Sequence, residues 1–537
     1  MGKPWLGAAV VVAFQLAFSV AFSGKAVHLD EPAYLAIAGQ ILRDPWRPMA
    51  FEKFWTGRRV SASRMAPNPP AAGYLLAPVL ALSGGNERVM RLLLAGFDAA
   101  AALFLYLVAA RFLKRPLLPT LAVLAGPGWL VTIPSFLPEK WLAAFGFAAL
   151  YAAARGDPAR PDRWWWAAAA LSASAALFKY TGAVFPAACA ALLAARGAPP
   201  ARVAAWLGLA LAPSAAHLLS GVLEPERLRG VATSVSAAAG TAPSHHARAL
   251  LAFASGSVPA VLVWAWWGPV PRRALAAAAA AGAALFLPAF DLAPATAADR
   301  LLGLALGAGA AAAVVNAAFR RAGDEGWPLW STLAGLSLFL QAFAYWSVAA
   351  RFSTFAAAGL ALALAAKLEA SQPPRKARAL AWAGFLASLS LGLPAAATDA
   401  AYANASRDAA RELAAPAVDA GRPVWFTGHW GLQHYMEAAG ARPIEPESGG
   451  WERVTRGSLV ILPGVNTNVQ RPKRLAADVR VAEPAPPFPL LLMCGAGWRC
   501  QAGFHSSMYG FLPFSFTREP LDRFELVEPR QGSGTTP

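Results

Sequence analysis

The chain has 537 residues, of which 57% are hydrophobic and only 14% charged, and 47 Lys and Arg against 30 Asp and Glu leave a formal net charge of +17. That is far too apolar for a soluble chain of this size, so the composition excludes a soluble globular enzyme and predicts an integral membrane protein. A basic excess can serve nucleic acid, anionic headgroups or membrane topology; in a polytopic chain the last two come first, and no nucleic-acid partner is expected.

The first apolar run, Pro4 to Ser23, follows a weakly basic Met1-Gly2-Lys3 and ends without a small-residue cleavage pattern, so it reads as a retained span. About thirteen runs approach the roughly 17 to 25 residues needed to cross about 30 Å of hydrocarbon as helix. They lie near 5–24, 89–111, 117–135, 138–155, 164–179, 181–196, 202–221, 248–269, 274–290, 300–319, 328–349, 352–368 and 378–397. The run Pro69 to Ser83 is either a further span or a loop helix. Alternate short loops carry Arg111, Lys114 and Arg115; Arg155, Arg160 and Arg163; Arg196 and Arg202; Arg272 and Arg273; Arg320 and Arg321; and Lys367, Arg375, Lys376 and Arg378. Basic residues in short loops resist translocation, which puts the N-terminus and these loops inside.

The first outer loop (24–88), a medium loop (Leu223 to His246) and the tail then share the outer side. The predicted fold class is an α-helical polytopic membrane protein with a C-terminal soluble α/β domain outside, divided as 1–397 and 398–537. In that tail, Pro423 to Thr427 and Ser458 to Leu462 read as strands, His429 to Gly440 reads as a helix closing on glycine, and Glu483 to Pro487 reads as an extended connection. Cys494 and Cys500 sit close enough in sequence for a disulfide in an oxidising compartment, while Cys189 falls inside a span.

Chemistry is sought first at Asp30-Glu31, two adjacent carboxylates where the first apolar run gives way to a polar loop. Asp30 suits the N-cap of a helix running from Glu31 to about Leu42, with Pro32 in its first turn. The alternative is a base tuned by partial desolvation at the bilayer edge. Lys179 and Arg351 break the basic-poor trend of the outer loops; together they suit an anion, and singly each could snorkel to headgroups. Lys140 and Arg300 pass the same positional test but rest on weaker landmarks. Arg43, Arg47, Lys53, Arg58, Arg59 and Arg64, interleaved with Trp46, Phe51, Phe54 and Trp55, fit a lipid-linked phosphate or an anionic membrane surface. Glu139 is either a second site carboxylate or a partner of a helix dipole. His245, His246, His429 and His434 show no metal-ligand spacing and read as ordinary polar residues, and no glycine-rich nucleotide loop is evident.

Asp30-Glu31 at the outer end of the first span is followed by Asn68-Pro69-Pro70-Ala71-Ala72-Gly73-Tyr74-Leu75-Leu76, Pro138-Glu139-Lys140-Trp141-Leu142, Phe178-Lys179-Tyr180-Thr181-Gly182 and Ala350-Arg351-Phe352. In that order these landmarks resemble GT-C glycosyltransferases of the protein O-mannosyltransferase and aminoarabinose transferase group. The family more often has His or Lys at the place of Asn68, Asp at that of Glu139, and Lys-Gly where this chain has Lys179-Tyr180-Thr181-Gly182. Thr427 to Tyr435 is similar to a segment of uncharacterised bacterial members.

The resemblance implies an inverting, metal-independent transferase of a bacterial inner membrane. It would move a sugar from a polyprenyl-phosphate carrier to an acceptor on the periplasmic face, with no cofactor beyond the lipid-linked donor. Asp30 would be the base and Glu31 a supporting acid. Lys179, Arg351, Arg58 and Arg59 would hold the donor phosphate, and Tyr34, Asn68 and Glu139 would contact substrate. Sugar and acceptor (protein, lipid or glycan) are left open. Two rival readings are a flippase for a lipid-linked anion and a receptor whose tail binds glycan. The first calls for mid-membrane charge and inverted halves, and Ala99 to Ala110 and Leu275 to Phe286 carry no charge.

Overall fold

The computed structural model describes residues 4–221, 224–240, 242–292, 295–319, 324–345, 347–469 and 478–529. Met1-Gly2-Lys3, Leu223, Arg320 and Arg321, on which parts of the predicted topology rest, lie outside the described residues.

Every predicted apolar run contains helix, as it must where backbone polar groups have no water to bond. Among the described residues, five helices are long and apolar enough to cross a membrane: Glu87–Phe112, Pro200–Ser220, Ala297–Ala318, Ala350–Ser371 and Pro374–Asp419. The chain is thus a multi-pass, mostly helical membrane protein, but most of the thirteen expected spans are shorter or interrupted. The 117–135 run divides at Gly126-Pro127 into Leu117–Leu124 and Pro127–Thr132, and the 248–269 run divides before Pro259 into Pro243–Gly256 and Ala260–Trp264. Proline removes a backbone donor and clashes with the preceding turn. A broken helix is tolerated at membrane depth when it is packed in protein, and all six residues of Pro127–Thr132 are buried.

One alternative is decided and one further reading changes. The helix Ala71–Ser83 has 13 residues, about 20 Å long, too short for about 30 Å of hydrocarbon. It lies instead on the Glu31–Arg43 helix, where a Cβ on Gly73 would stand 2.6 Å from Ile37 Cγ2. Lys367, assigned to an inner loop, is buried in Ala350–Ser371, where its ammonium donates to the carbonyls of Ala317 at 3.2 Å and Phe319 at 2.5 Å, closing the end of Ala297–Ala318.

In the first outer loop, strands β1 (Glu52–Trp55) and β2 (Arg58–Ser61) form an antiparallel hairpin. Its two-residue turn, Thr56-Gly57, is left-handed at both positions (φ 50° and 84°), as a tight hairpin requires. The tail contributes β3 (Val424–Phe426), β4 (Arg442–Pro443), β5 (Leu459–Leu462), β6 (Asp478–Ala482) and β7 (Phe524–Val527), in sheet order β4-β3-β5-β7-β6. β3 pairs in parallel with β4 and β5, and β7 runs antiparallel to β5 and β6. Helix Trp430–Ala438 follows β3, with Gly440 left-handed just beyond it (φ 86°).

The sheet is not hung on a linker. Pro374–Ala409 is one helix of 36 residues that runs through the expected 397/398 boundary. Its end and the π-turn that follows, Ala410–Ala414, bury Ala405, Ala409 and Leu413 against Val424, Phe426, Leu432 and Ile461. Cys494 and Cys500 are disulfide-bonded, and Cys189 is free and buried.

Candidate functional site

The loop from Gly24 to Asp30 decides where the two carboxylates go. Leu29 is held left-handed (φ 48°), a conformation costing a side-chain-bearing residue of order 1–3 kcal/mol. Asp30 then starts the Glu31–Arg43 helix, but its side chain makes no capping bond. Its Oδ2 instead accepts from Arg351 Nη2 at 2.8 Å, with the carboxylate 34% exposed.

Glu31 turns the other way and is 1% exposed. Arg91 Nη2 lies 2.9 Å from its Oε2, and the backbone N–H groups of Phe136 (2.8 Å) and His28 (2.9 Å) complete its shell. Arg91 also donates to the carbonyls of Lys25, Ala26 and Pro134, and its guanidinium lies 4.1 Å from the Phe136 ring centroid. Adjacent in sequence, the two acids do separate things: Asp30 faces a cavity, and Glu31 ties the loop to the 134–136 segment.

That cavity has a volume of about 650 Å³. Of the residues expected to form the site, Asp30, Tyr34, Arg58, Asn68, Glu139, Lys179 and Arg351 line it, and Glu31 and Arg59 do not; Trp55, Arg64 and His429, also singled out from sequence, line it too. Arg59 pairs with Glu445 at 3.4 Å. Lys140 is buried against Asp98 at 2.9 Å, and Ser19 donates to the same carboxylate at 2.7 Å. Arg300 donates to the Phe290 carbonyl at 3.4 Å.

Lys179 and Arg351 flank the Phe352 ring, with Nζ 3.9 Å and the guanidinium carbon 4.9 Å from its centroid. Neither cation is free: Lys179 contacts Glu139 at 2.6 Å, as Arg351 contacts Asp30. The four charges cancel, so the membrane side of the cavity is two ion pairs. Among the described residues, Glu139 keeps one buried oxygen, Oε2, without a hydrogen-bond partner, and Arg351 keeps Nε likewise.

The tail roofs the cavity with His429, Trp430, Thr467, His505 and Tyr509. Trp430 (φ 63°) is left-handed, as are Leu29, Thr56 and Asn468, which line the same wall. Gly431 follows it because a Cβ there would collide with the Val27 carbonyl, two residues from Leu29. Asn466 fixes His429 by accepting from its backbone N–H (2.9 Å) and donating to its carbonyl (3.1 Å), and Thr467 Oγ1 lies 2.9 Å from its Nδ1. Trp55 and Trp430 pack on its imidazole at 4.9 and 4.8 Å between ring centroids.

Behind this wall, His505 Nε2 lies 2.7 Å from Asp399 Oδ1, and His28 Nε2 lies 3.5 Å from the same oxygen. The ligating atoms of these three residues fall within 4.8 Å of one another, but the Lys25 ammonium already sits on the other Asp399 oxygen and balances its charge. The cluster joins the first loop, the long helix and the tail.

Burial alone would raise the Asp30 carboxyl; Arg351, with His429 and Lys179, more than reverses this and holds it below the usual carboxylate range. This corrects the expectation of a base tuned upward by desolvation. Glu31 is likewise held low, burial being outweighed by Arg91 and Lys25. For Tyr34, burial and the neighbouring Glu139 and Asp30 push the phenol upward, so it stays a proton donor.

Burial also presses His429 and His505 down to about 4 from an ordinary 6.5, partly opposed by Asp30 and Asp399. Between those values the unfolded chain binds more protons than the native one. The contribution of these two histidines is therefore full above pH 6.5 and falls as the pH drops toward 4, while Asp522, pushed up by burial to about 7, contributes with the opposite sign over the same range. A gap in thermal unfolding midpoint between the protein and its His429→Gln/His505→Gln variant that is unchanged from pH 7 to 4.5 would contradict this.

Sequence reasoning missed Arg91, Asp98, Asp399 and His505, and it read His429 as ordinary. Arg91 and Asp98 carried a signal, since ionisable residues inside an apolar run are rare and have partners. Nothing local pointed to Asp399 or His505, whose pairing spans 106 residues.

Residues 67–218 match the family model described as dolichyl-phosphate-mannose-protein mannosyltransferase. Among solved structures, the chain is similar to the crystal structure of ArnT from Cupriavidus metallidurans in the apo state. The two share 14% identity with a TM-score of 0.38, over 85% of this chain and 92% of that one. No curated protein matches the chain. The matched segment contains Asn68, Glu139 and Lys179, so the resemblance to the mannosyltransferase group read from these landmarks holds there; Asp30 and Arg351 lie outside it.

Proposed function

We propose, taking the similarity of residues 67–218 to that mannosyltransferase family as the premise, that the chain is a GT-C membrane glycosyltransferase. It moves a sugar from a polyprenyl-phosphate donor to an acceptor at the outer face of a bacterial inner membrane, with the 398–537 tail over the site on the periplasmic side. The observation that carries this reading is the meeting of the Asp30–Arg351 and Glu139–Lys179 pairs about Phe352 in one cavity.

The donor phosphodiester carries one negative charge, and the departing phosphate monoester carries two. Cations set on that phosphate therefore favour the transition state over the ground state. Arg351 and Lys179 are shared cations: as the phosphate engages them, their hold on Asp30 and Glu139 loosens. Asp30 gains proton affinity as the donor arrives. It then takes the acceptor hydroxyl proton while the acceptor oxygen bonds to the anomeric carbon and the bond from that carbon to the phosphate oxygen breaks, inverting the centre.

Glu31 keeps the loop in place through Arg91, and Arg58, Tyr34 and Asn68 contact substrate. Glu139 receives Lys179 back when the phosphate leaves. The acceptor is a hydroxyl on protein, lipid or glycan, and no cofactor or metal takes part.

The test is purified protein in liposomes with polyprenyl-phosphate carrying a labelled sugar and envelope extract as acceptor. Label is expected to move to the acceptor as free polyprenyl phosphate accumulates. Passage of intact labelled lipid across the bilayer without cleavage would replace this reading with a flippase.

A further inference from the structure

A second cavity, of about 610 Å³, opens at the same end of the membrane region as Asp30 and shares no lining residue with the first among the described residues. Its walls come from three places. Gly24 follows the first helix, Gly85 to Arg88 begin the 26-residue Glu87–Phe112 helix, and Arg407 to Ala415 end the long Pro374–Asp419 helix, with Tyr435 of the tail between them. The long helix opens into a π-turn over Ala410–Ala414, a feature frequent at functional sites, and Arg411 stands in that turn.

The charge in this cavity does not balance. Arg88, Arg407 and Arg411 face a single carboxylate, Glu87. Arg407 reaches Glu87 Oε2 at 3.3 Å, yet its buried Nε has no hydrogen-bond partner among the described residues, and Tyr435 also donates to Glu87, at 2.5 Å. Arg88 and Arg411 have no ion-pair or hydrogen-bond partner among the described residues. Three guanidiniums gathered from two helices against one carboxylate leave a net positive charge that a further anion would offset. The positive end of the Glu87–Phe112 helix adds to the same field.

The geometry points to a binding site for a phosphate ester of net negative charge in this cavity, distinct from the donor phosphate site. Guanidinium forks match phosphate oxygens in pairs, which ammonium groups cannot do. The first helix ends and the Glu87–Phe112 candidate span begins at this cavity, so a lipid headgroup phosphate is one source of such an anion.

An occupant there touches the loop that carries Asp30. Asn404 Oδ1 accepts both from Arg407 Nη2 (2.9 Å) and from the Ala26 N–H (3.0 Å), and the Tyr435 hydroxyl that holds Glu87 accepts from the Val27 N–H (2.7 Å).

The experiment is a binding titration of the full-length protein in detergent, read by native mass spectrometry and by the shift in unfolding temperature, so it does not depend on sugar transfer. The probes are inorganic phosphate, short-chain phosphatidylglycerol, and phosphatidylcholine with the same chains. Arg88→Gln/Arg411→Gln, both at exposed positions, is compared with Arg499→Gln/Arg518→Gln, which removes the same charge at exposed positions in the tail.

Phosphatidylglycerol is expected to bind at least tenfold more tightly than phosphatidylcholine, with that preference lost in the first variant and kept in the second. Phosphate binding as tightly as phosphatidylglycerol, and lost in the same variant, supports the site with a free phosphate ester as its ligand. Equal loss in both variants, no loss in the first, or no preference for either phosphate probe would overturn the proposal.

Discussion

Asparagine in place of Asp30 lowers the turnover of sugar transfer by about 10²- to 10⁴-fold, the size of a lost general base, while the protein still folds and inserts. The substitution keeps the shape of the side chain and removes only its charge and its proton-accepting power. Arg351 is left facing a neutral amide in place of the carboxylate it now holds at 2.8 Å.

That difference separates the proposed role from a purely structural one. With its counter-ion gone, Arg351 is freer to meet the donor phosphate, so the donor KM stays level or falls while kcat drops. Arg351→Gln does the reverse, raising the donor KM and lowering kcat together, because it removes a contact made before and during departure of the phosphate. Asp30→Glu, which keeps the charge but moves it, is expected to recover part of the turnover. Near wild-type turnover in Asp30→Asn would sink the base assignment and leave Asp30 as the ion-pair partner of Arg351 alone.

How much of this was legible depends on the range of the signal. Asp30 stood out because a carboxylate at the end of an apolar run needs a reason, and Lys179 and Arg351 stood out because they broke the phase of the basic loops. These three share a cavity wall. What they do to one another was not legible, because pairing of Asp30 with Arg351 across 321 positions is a product of packing, and it reversed the expected direction of the Asp30 shift.

The same limit hid the Asp399–His505 contact and the roofing of the cavity by Trp430 and Tyr509. Helix content was legible, since apolar runs in a membrane have little alternative. Helix continuity was not: a count of apolar residues passes over Gly126-Pro127 and Pro259, where the backbone breaks. Arg91 was visible as a charge inside a predicted span, but its partner Glu31 had been read as an acid of the site, and one carboxylate cannot both saturate a buried guanidinium and face the substrate.

That pairing carries the largest expected effect on stability. Arg91→Ala costs about 3–5 kcal/mol, the range for breaking a buried ion pair by removing one member. Arg91 is 3% exposed and Glu31 is 1% exposed, so a lone Glu31 carboxylate has no water to turn to. The loss exceeds that of one contact because Arg91 also bonds three carbonyls, of Lys25, Ala26 and Pro134, which its removal leaves to find other donors.

The double variant Arg91→Met/Glu31→Gln removes both charges and is expected to be more stable than Arg91→Ala, since a neutral pair of similar volume spares the desolvation of an ion. Arg91→Lys falls between them: it supplies the charge but not the fork that reaches carboxylate and carbonyls at once. Denaturant unfolding in detergent measures all three. Sugar transfer should fall in the same order, because the segment released is the one that delivers Asp30 to the cavity wall. A cost for Arg91→Ala under 1 kcal/mol would show that the Lys25 to Glu31 loop is held by other contacts, and the Lys25–Asp399 pair on its far side would be the next to remove.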